Sequence, residues 1–392
     1  MTPGRLVLKP HEERALKRGR LWIYDNEIGS LHVDGPGGLV HVYSAAGTPI
    51  GTAYAHPDNV IAARLISKSL LRELKPKWWE ERLAEAARWR EELVGGEHWR
   101  WVHGEGDRLP GLVVDRYGDQ IVVQAHTAGI DRELDKILDA IERIARPRAI
   151  FAHHRIPGRE KEGLPLENKR LRGEGDGELV AKEHGLVFRC HALFGQKTGY
   201  FYDQRTNRRW IRGIARGKRV LDAFSYVGGF ALHALAGGAK EAVALDVSAR
   251  ALGYARANAE ANGLSARFSA HQADAMEALA AMAAERTRFD LVVCDPPAFA
   301  KHKSQLSKAL YGYQKLARLA AQVVAPGGML AIASCSAVVP IEMFRRAVLK
   351  GVREAGRSAS VVYQGGQAED HPWPLAMPEL AYLKFLGLVL HG

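Results

Sequence analysis

Cysteine is scarce in this chain of 392 residues, with only three, at positions 190, 294 and 335. Thiols so few and so scattered make neither a disulfide framework nor a zinc site. A reducing compartment fits that usage, and it leaves any of the three as a candidate working thiol. No run of about 18 apolar residues occurs, so no membrane helix is expected. Met1 to Pro10 carries charges without a long apolar core and is not expected to be a signal peptide. A cytoplasmic location is the expectation. Internal repeats and low-complexity segments are also missing. Acidic residues are in deficit, 44 against 55 lysines and arginines, for a net charge of +11. That balance favours a polyanionic partner, nucleic acid ahead of a membrane surface. A basic enzyme with no such partner would show the same number. What is present is ordinary for a globular protein, 47% hydrophobic and 25% charged, with length enough for two or three cored domains.

Three regions follow from the patterning. Residues 1–68 are glycine-rich and strand-like, with runs at Arg5–Lys9, Leu39–Tyr43, Ile50–Ala55 and Ile61–Leu65 broken by turns such as Gly35-Pro36-Gly37-Gly38. A small β module is expected there. Arg14, Lys17, Arg18 and Arg20 crowd its start, with Trp22 and Tyr24 close behind. Cations interleaved with aromatics suit phosphate contacts and base stacking. A solvated helix, His11 to Arg18, with core aromatics explains them equally well. Residues 69–190 predict a small α+β domain: helices over Trp78–Leu93 and Asp131–Ile144, a hairpin of Leu112–Asp115 with Ile121–Ala125, and a strand at Ala149–Ala152. The polar stretch His153–Gly177 reads as a loop. Residues 191–392 alternate strands and helices five times and close on two strands, Ser360–Tyr363 and Tyr382–Leu390. That is an α/β, doubly wound sheet with an antiparallel edge.

Ligands bind such sheets at the carboxyl ends of the strands. The first strand ends in Asp222-Ala223-Phe224-Ser225-Tyr226-Val227-Gly228-Gly229-Phe230, whose glycines let backbone approach a ligand closely. The dinucleotide fingerprint GxGxxG is absent, which disfavours a nicotinamide oxidoreductase. Asp246 ends the second strand, where a carboxylate can accept both ribose hydroxyls or merely cap the next helix. Asp274 follows the third strand and can meet an adenine amino group or cap a helix. Asp295-Pro296-Pro297 ends the fourth on a backbone that two prolines fix. Ser334-Cys335-Ser336 ends the fifth, so Cys335 and Asp295 should face each other. Cys335 lies past the apolar run Leu330–Ala333, at the strand mouth, a position that argues against a small buried hydrophobe; together with the family resemblance given below, it is expected to be a nucleophile. Cys294 lies inside its run and reads as core.

These motifs, with Gly195-Gln196-Lys197-Thr198-Gly199-Tyr200-Phe201-Tyr202-Asp203-Gln204-Arg205, resemble bacterial 23S rRNA 5-methylcytosine methyltransferases with an N-terminal PUA domain. Arg14 to Asn26, Gly104 to Gly111, Asp370-His371-Pro372 and Tyr382-Leu383-Lys384 are similar too, so the likeness spans nearly the whole chain. The resemblance implies a PUA domain (1–68), an RRM-like domain (69–190) and a class I, Rossmann-like methyltransferase domain (191–392) using S-adenosylmethionine. It implies that the Lys197–Arg205 stretch, with Lys197, Tyr200, Asp203, Gln204 and Arg205, helps close the site over cofactor and RNA. One departure is the unusually charged, glycine-rich segment Gly163–Leu179.

Carbon 5 of cytosine is a poor nucleophile. A thiolate adding to carbon 6 converts carbon 5 into an enamine carbon, and that chemistry is expected of Cys335. Asp295 is expected to meet the cytosine edge at ring nitrogen 3. The expected cofactor site comprises Asp222, Phe224, Ser225, Tyr226, Gly228, Asp246, Asp274 and Asp295, and no metal is required. Two other readings remain: a methyltransferase acting on the exocyclic nitrogen of guanine, which needs no thiol, and a non-catalytic RNA-binding protein of ribosome assembly. The expected partner is 23S ribosomal RNA, with no membrane partner. The open β surfaces permit a homodimer.

Overall fold

A computed structural model describes residues 2–392; Met1, the first residue of the expected β module, lies outside the described residues. The chain forms two compact units. The first gathers Met1–Leu179, His191–Tyr202 and Glu369–Pro378; the second gathers Val180–Cys190, Asp203–Ala368 and Glu379–Gly392.

The first unit holds two sheets. Strands β1 (Gly4–Leu8), β2 (Trp22–Tyr24), β3 (Ile28–His32), β4 (Gly38–Tyr43), β5 (Pro49–Ala55) and β6 (Ile61–Ser67) make a six-stranded sheet in the order β2-β6-β5-β4-β1-β3. Alternation puts Leu6, Leu8, Ile23, Val40, Val42 and Leu65 into one core. The second sheet is built from β7 (His98–His103), β8 (Leu112–Tyr117), β9 (Gln120–Ala125), β10 (Ala149–His153) and β11 (Asn168–Gly173), in the order β11-β10-β9-β8-β7. Helices Pro76–Leu93 and Leu134–Ala145 share the core of this sheet, around Trp79, Leu83, Trp99, Ile137 and Ile141.

Two expectations are corrected here. The stretch 153–177 is not a plain loop: it carries a helix, Pro157–Lys161, and the edge strand β11. The sequence of β11, Asn-Lys-Arg-Leu-Arg-Gly, has no apolar alternation, because the outer strand of a sheet is protected by charge rather than buried. The helix expected over 131–144 starts earlier and is broken. Thr127 caps a short helix, Ala128–Arg132, by accepting from the Ile130 amide, and Leu134–Ala145 follows.

Two motifs that matched the resembled family turn out to work together inside this unit. Asp107 takes both terminal nitrogens of buried Arg90 at 2.6 and 2.7 Å, and Arg90 also donates to the Asp370 carbonyl. The Asp370 carboxylate accepts the Arg100 amide at 3.0 Å and pairs with His371 at 2.8 Å. A side chain at Gly106 would meet the Pro372 carbonyl at 2.0 Å, so only glycine allows that approach.

A two-stranded ribbon, β12 (Glu178–Glu183) with β13 (Leu186–His191), leads toward the doubly wound sheet of the second unit. The strands of that sheet are β14 (Arg219–Ala223), β15 (Glu241–Asp246), β16 (Phe268–Gln272), β17 (Phe289–Cys294), β18 (Val324–Ser334), β19 (Ser358–Gly365) and β20 (Lys384–His391), in the order β16-β15-β14-β17-β18-β20-β19. The first five are parallel, and β20 lies antiparallel between β18 and β19. Helices cover both faces, so the central strands read as near-continuous apolar runs such as Leu291-Val292-Val293-Cys294. The Ser248 hydroxyl caps helix Ala249–Ala261, and Gly263 beyond its end has φ +66°, the left-handed conformation that closes helices. No helix of the described residues is long and apolar enough to cross a membrane.

Candidate functional site

The winding reverses at β14, which has β15 on one side and β17 on the other, and the loop after β14 is the most contorted backbone of the second unit. Phe224 (φ +66°), Tyr226 (φ +48°) and Gly228 (φ +83°) are all left-handed within five residues. Non-glycine residues hold that conformation only where surroundings impose it, typically at a functional site. Asp246 supplies part of the constraint. Its carboxylate accepts the Tyr226 amide at 2.9 Å and the Ser248 amide at 2.8 Å, tying the ends of β14 and β15 together. Helix Gly229–Ala236 then begins directly behind Gly228.

Asp222 and Ser225 sit at the root of this loop, 0% and 5% exposed. Asp222 Oδ2 accepts the Ala231 amide at 2.9 Å, while Asp222 Oδ1 and Ser225 Oγ are buried with no hydrogen-bond partner among the described residues. Buried polar atoms are normally satisfied, so two orphans at a strand mouth fit a polar ligand. Burial pushes the Asp222 carboxyl up to about 8, with the Ala231 hydrogen bond opposing and the charges of Asp295 and Asp246 adding. Asp274 is exposed and caps helix Ala275–Ala284, one oxygen accepting the amides of Met276 and Glu277 at 2.8 and 3.0 Å. The capping reading of Asp246 and Asp274 is met: each grips backbone amides, and each carboxylate keeps lone pairs to spare.

On the other side of β14, strands β17 and β18 pair in parallel and carry Asp295 and Cys335 just past their ends. The Cys335 thiol lies 3.9 Å from the Pro296 carbonyl, so the loops after β17 and β18 meet as the strand winding requires. Cys335 is half-buried, whereas Cys190 and Cys294 are fully buried. Burial pushes the Cys294 thiol well up, as its reading as core requires. Two further residues at this mouth had no role assigned from the sequence. Tyr313, from helix Leu306–Val323, bonds the hydroxyls of Ser334 at 2.8 Å and Ser336 at 3.3 Å. Lys384, the first residue of β20, donates to the carbonyls of Ser336 at 2.6 Å and Tyr382 at 2.8 Å.

The remaining candidates divide between the units. Asp203, Gln204 and Arg205 belong to the second, at the start of helix Arg205–Ile214. Asp203 accepts the Tyr382 hydroxyl at 2.6 Å, Gln204 holds Asn207, and Arg205 lies 4.0 Å from Glu183. Glu183 is gripped by Arg208 at 2.6 and 2.7 Å. Burial alone would raise its carboxyl, but Arg208 reverses this and holds it at about 2. Glu183, His184 and His233 have ligand atoms close enough together for a metal ion, yet the Arg208 guanidinium occupies that carboxylate. Lys197 and Tyr200 belong to the first unit. Lys197 is exposed, φ +49°, with its ammonium 4.7 Å from the Phe201 ring; Tyr200 is buried, its amide donating to the Tyr117 hydroxyl at 2.9 Å. Arg14, Lys17 and Arg18 lie on and just after helix Glu13–Lys17, and all three are exposed. Arg20 instead pairs with Glu27, and Trp22 donates to Glu105 at 2.8 Å, so these two are partly tied into the fold.

Comparison with known proteins matches this arrangement. Residues 165–360 match the model of an S-adenosylmethionine-dependent methyltransferase, and residues 6–68 that of a PUA-like domain. A protein named ribosomal RNA large subunit methyltransferase I from Cronobacter sakazakii is 33% identical over 99% of both chains. Its namesake from Erwinia tasmaniensis is 34% identical over 97% of this chain and 98% of its own. Among solved structures, one described as a SAM-dependent methyltransferase from Streptococcus mutans has the same fold, with a TM-score of 0.84 at 22% identity, covering 98% of this chain and 99% of its own. Another, a methyltransferase in complex with SAH, reaches 0.85 at 22% identity and the same coverage. The strand order, the strained loop after β14 and the full-length likeness lead to one assignment: this chain belongs to the S-adenosylmethionine-dependent methyltransferase family, carries a PUA-like domain, and has S-adenosylmethionine as its cofactor.

Proposed function

We propose that this enzyme methylates carbon 5 of a cytosine in large-subunit ribosomal RNA through a covalent bond to Cys335. The observation that carries the reading is a half-buried thiol at the mouth of β18, 3.9 Å from the backbone of the Asp295-Pro296-Pro297 loop. A methyltransferase acting on an amine nitrogen has no use for a nucleophile there. The substrate class comes from the relatives, which are named for large-subunit ribosomal RNA, and from the net charge of +11.

S-adenosylmethionine supplies an electrophilic methyl group on a sulfonium. Cys335 Sγ bonds to carbon 6 of the flipped or looped-out cytosine, which raises the electron density at carbon 5. Carbon 5 takes the methyl group, loses its proton to a base, and the Sγ–carbon 6 bond breaks to restore the ring. Asp295 holds the cytosine at ring nitrogen 3 and its amino group, so that the adduct's charge is met as it forms. On the cofactor side, Asp246 is assigned the ribose hydroxyls and Asp274 the adenine amino group, with Phe224, Ser225, Tyr226 and Gly228 lining the loop and Asp222 at its root. Lys197, Tyr200, Asp203, Gln204 and Arg205 are assigned to closing the site, residues 69–190 to an RRM-like domain, and Arg14, Lys17 and Arg18 to RNA phosphates.

Transfer of labelled methyl to unmodified ribosomal RNA, followed by nucleoside digestion, tests the reading. Label in 5-methylcytidine is expected; label in a methylguanosine replaces the target with guanine. Asp295→Asn should lower turnover about 100-fold, the usual scale for a lost proton donor; full turnover removes its role. RNA affinity should fall about 10³-fold between 50 and 200 mM salt if some six phosphates are neutralised. A flat salt profile rules out an electrostatic grip.

A further inference from the structure

Lys384 is a buried cation without an acidic partner among the described residues. It is 6% exposed and stands opposite Ser334 in the β18–β20 pairing, one residue short of Cys335. Two of its three N–H groups are spent on the carbonyls of Ser336 and Tyr382. Carbonyl dipoles do not neutralise an ammonium, and among the described residues no carboxylate oxygen lies within 4 Å of it. A buried charge in that position is strongly disfavoured unless something nearby carries the opposite sign. Burial lowers the Lys384 ammonium to about 8, and the group whose charge works against that lowering is Cys335. Lys384 thus still carries its proton at neutral pH.

We propose that Lys384 is the positioning residue of the nucleophile: its buried ammonium fixes the Ser334-Cys335-Ser336 turn through the Ser336 carbonyl and holds Cys335 as a thiolate. The proton leaves Cys335 Sγ for solvent, and the ammonium keeps its own three. Each member of the pair answers the other's need. The thiolate is the missing counter-ion of a buried cation, and the cation is the missing activator of a thiol that is otherwise only a few per cent ionised at pH 7. Other groups face Cys335 as well. Tyr313 approaches from helix Leu306–Val323 and is itself coupled to Cys335, with burial keeping its hydroxyl protonated. Asp295 stands in the loop after β17, beside the Pro296 carbonyl that Sγ approaches. Protonated or ionised, Asp295 brings no positive charge, so Lys384 is the positive group in the set. The purpose of the pair rests on the carbon 5 reading, but thiol ionisation is measurable without it.

The test is the rate of Cys335 alkylation by iodoacetamide between pH 5 and 10, followed by peptide mass spectrometry on the full-length protein. Buried Cys190 and Cys294 do not compete. The wild type should titrate well below the ordinary thiol value of about 8.5. Lys384→Met should raise that midpoint by about one pH unit or more, slowing alkylation about tenfold at pH 7, while Lys384→Arg should keep most of the lowering. Cofactor binding by calorimetry reports whether each variant is folded. A wild-type midpoint at or above about 8.5 overturns the proposal without any variant; so does a Lys384→Met profile that overlays the wild type. If 5-methylcytidine forms through Cys335 while the wild-type midpoint is at the ordinary value, the ion pair fails and the carbon 5 reading stands. If label arrives on guanine while the thiol titrates low, the reverse holds.

Discussion

Replacing Cys335 with alanine should abolish formation of 5-methylcytidine, by about four orders of magnitude or to background, while leaving cofactor affinity within about twofold. The asymmetry follows from where the thiol sits. Cys335 lies beyond the end of β18, its thiol 3.9 Å from the Pro296 carbonyl in the loop after β17, and the cofactor residues assigned above lie at the ends of β14, β15 and β16. Removing one half-buried sulfur leaves the Ser334–Tyr313 and Ser336–Lys384 bonds that shape the turn, so the expected stability change is below about 1 kcal/mol. Side-by-side transfer assays and calorimetry separate the two quantities. Residual 5-methylcytidine above a few per cent would refute covalent catalysis at this residue. Undiminished methylation at guanine would make Cys335 structural while leaving the fold and cofactor assignments intact. A positive complement is available in the wild type. RNA carrying 5-fluorocytosine offers no carbon 5 proton to remove, so the adduct should persist as a denaturant-resistant protein–RNA complex that Cys335→Ala does not form.

Cys335 was legible in the sequence because the winding rules of a parallel sheet are strict. Apolar runs bounded by turns fix β17 and β18, neighbouring strands place their ends together, and the residue after each run is by construction at the mouth. The same logic located Asp222, Asp246 and Asp295. What escaped was whatever depends on side chains reaching across the chain. Lys384 begins an antiparallel strand 49 positions after Cys335, and only the β18–β20 register brings it under the turn. Helix Arg205–Ile214 was missed for a different reason. Its buried face includes Arg205, Asn207 and Arg208, the last two bonded to Gln204 and Glu183, so polar residues sit where a hydrophobic period would be sought. Edge strand β11 hid behind its charges. Nor did spacing reveal that Asp370 returns to Arg90 and Arg100, because 270 or more residues separate those partners.

Asp222→Asn should make the protein more stable and the enzyme worse. Asp222 is fully buried, with one oxygen on the Ala231 amide and the other without a partner among the described residues. Burial lifts its carboxyl from an unfolded value near 4 to about 8 in the fold. A folded value above the unfolded one means that folding takes up a proton. The stability linked to this group is therefore fully present below about pH 4, declines as pH rises, and is lost once pH passes about 8. A rise of that size corresponds to a penalty on the order of 3–5 kcal/mol at pH 8–9, after allowance for relaxation around the charge. Asparagine has the same shape, keeps an oxygen for Ala231, and cannot ionise. Its advantage in denaturant titrations should approach that figure at pH 9 and vanish near pH 4; an equal advantage at both would show that ionisation is not the cause. The cost should appear at the cofactor. S-adenosylmethionine is cationic at its sulfonium, and a carboxylate at the root of the β14 loop is stabilised by a bound cation. Binding at pH 7 should then release up to one proton, visible in calorimetry as a heat that depends on the buffer's ionisation enthalpy. Asp222→Asn should bind about tenfold more weakly, equivalent to about 1.4 kcal/mol, and release none. An aspartate that destabilises its own fold at working pH, where asparagine fits the same bonds, is best explained by the charge that its ligand brings.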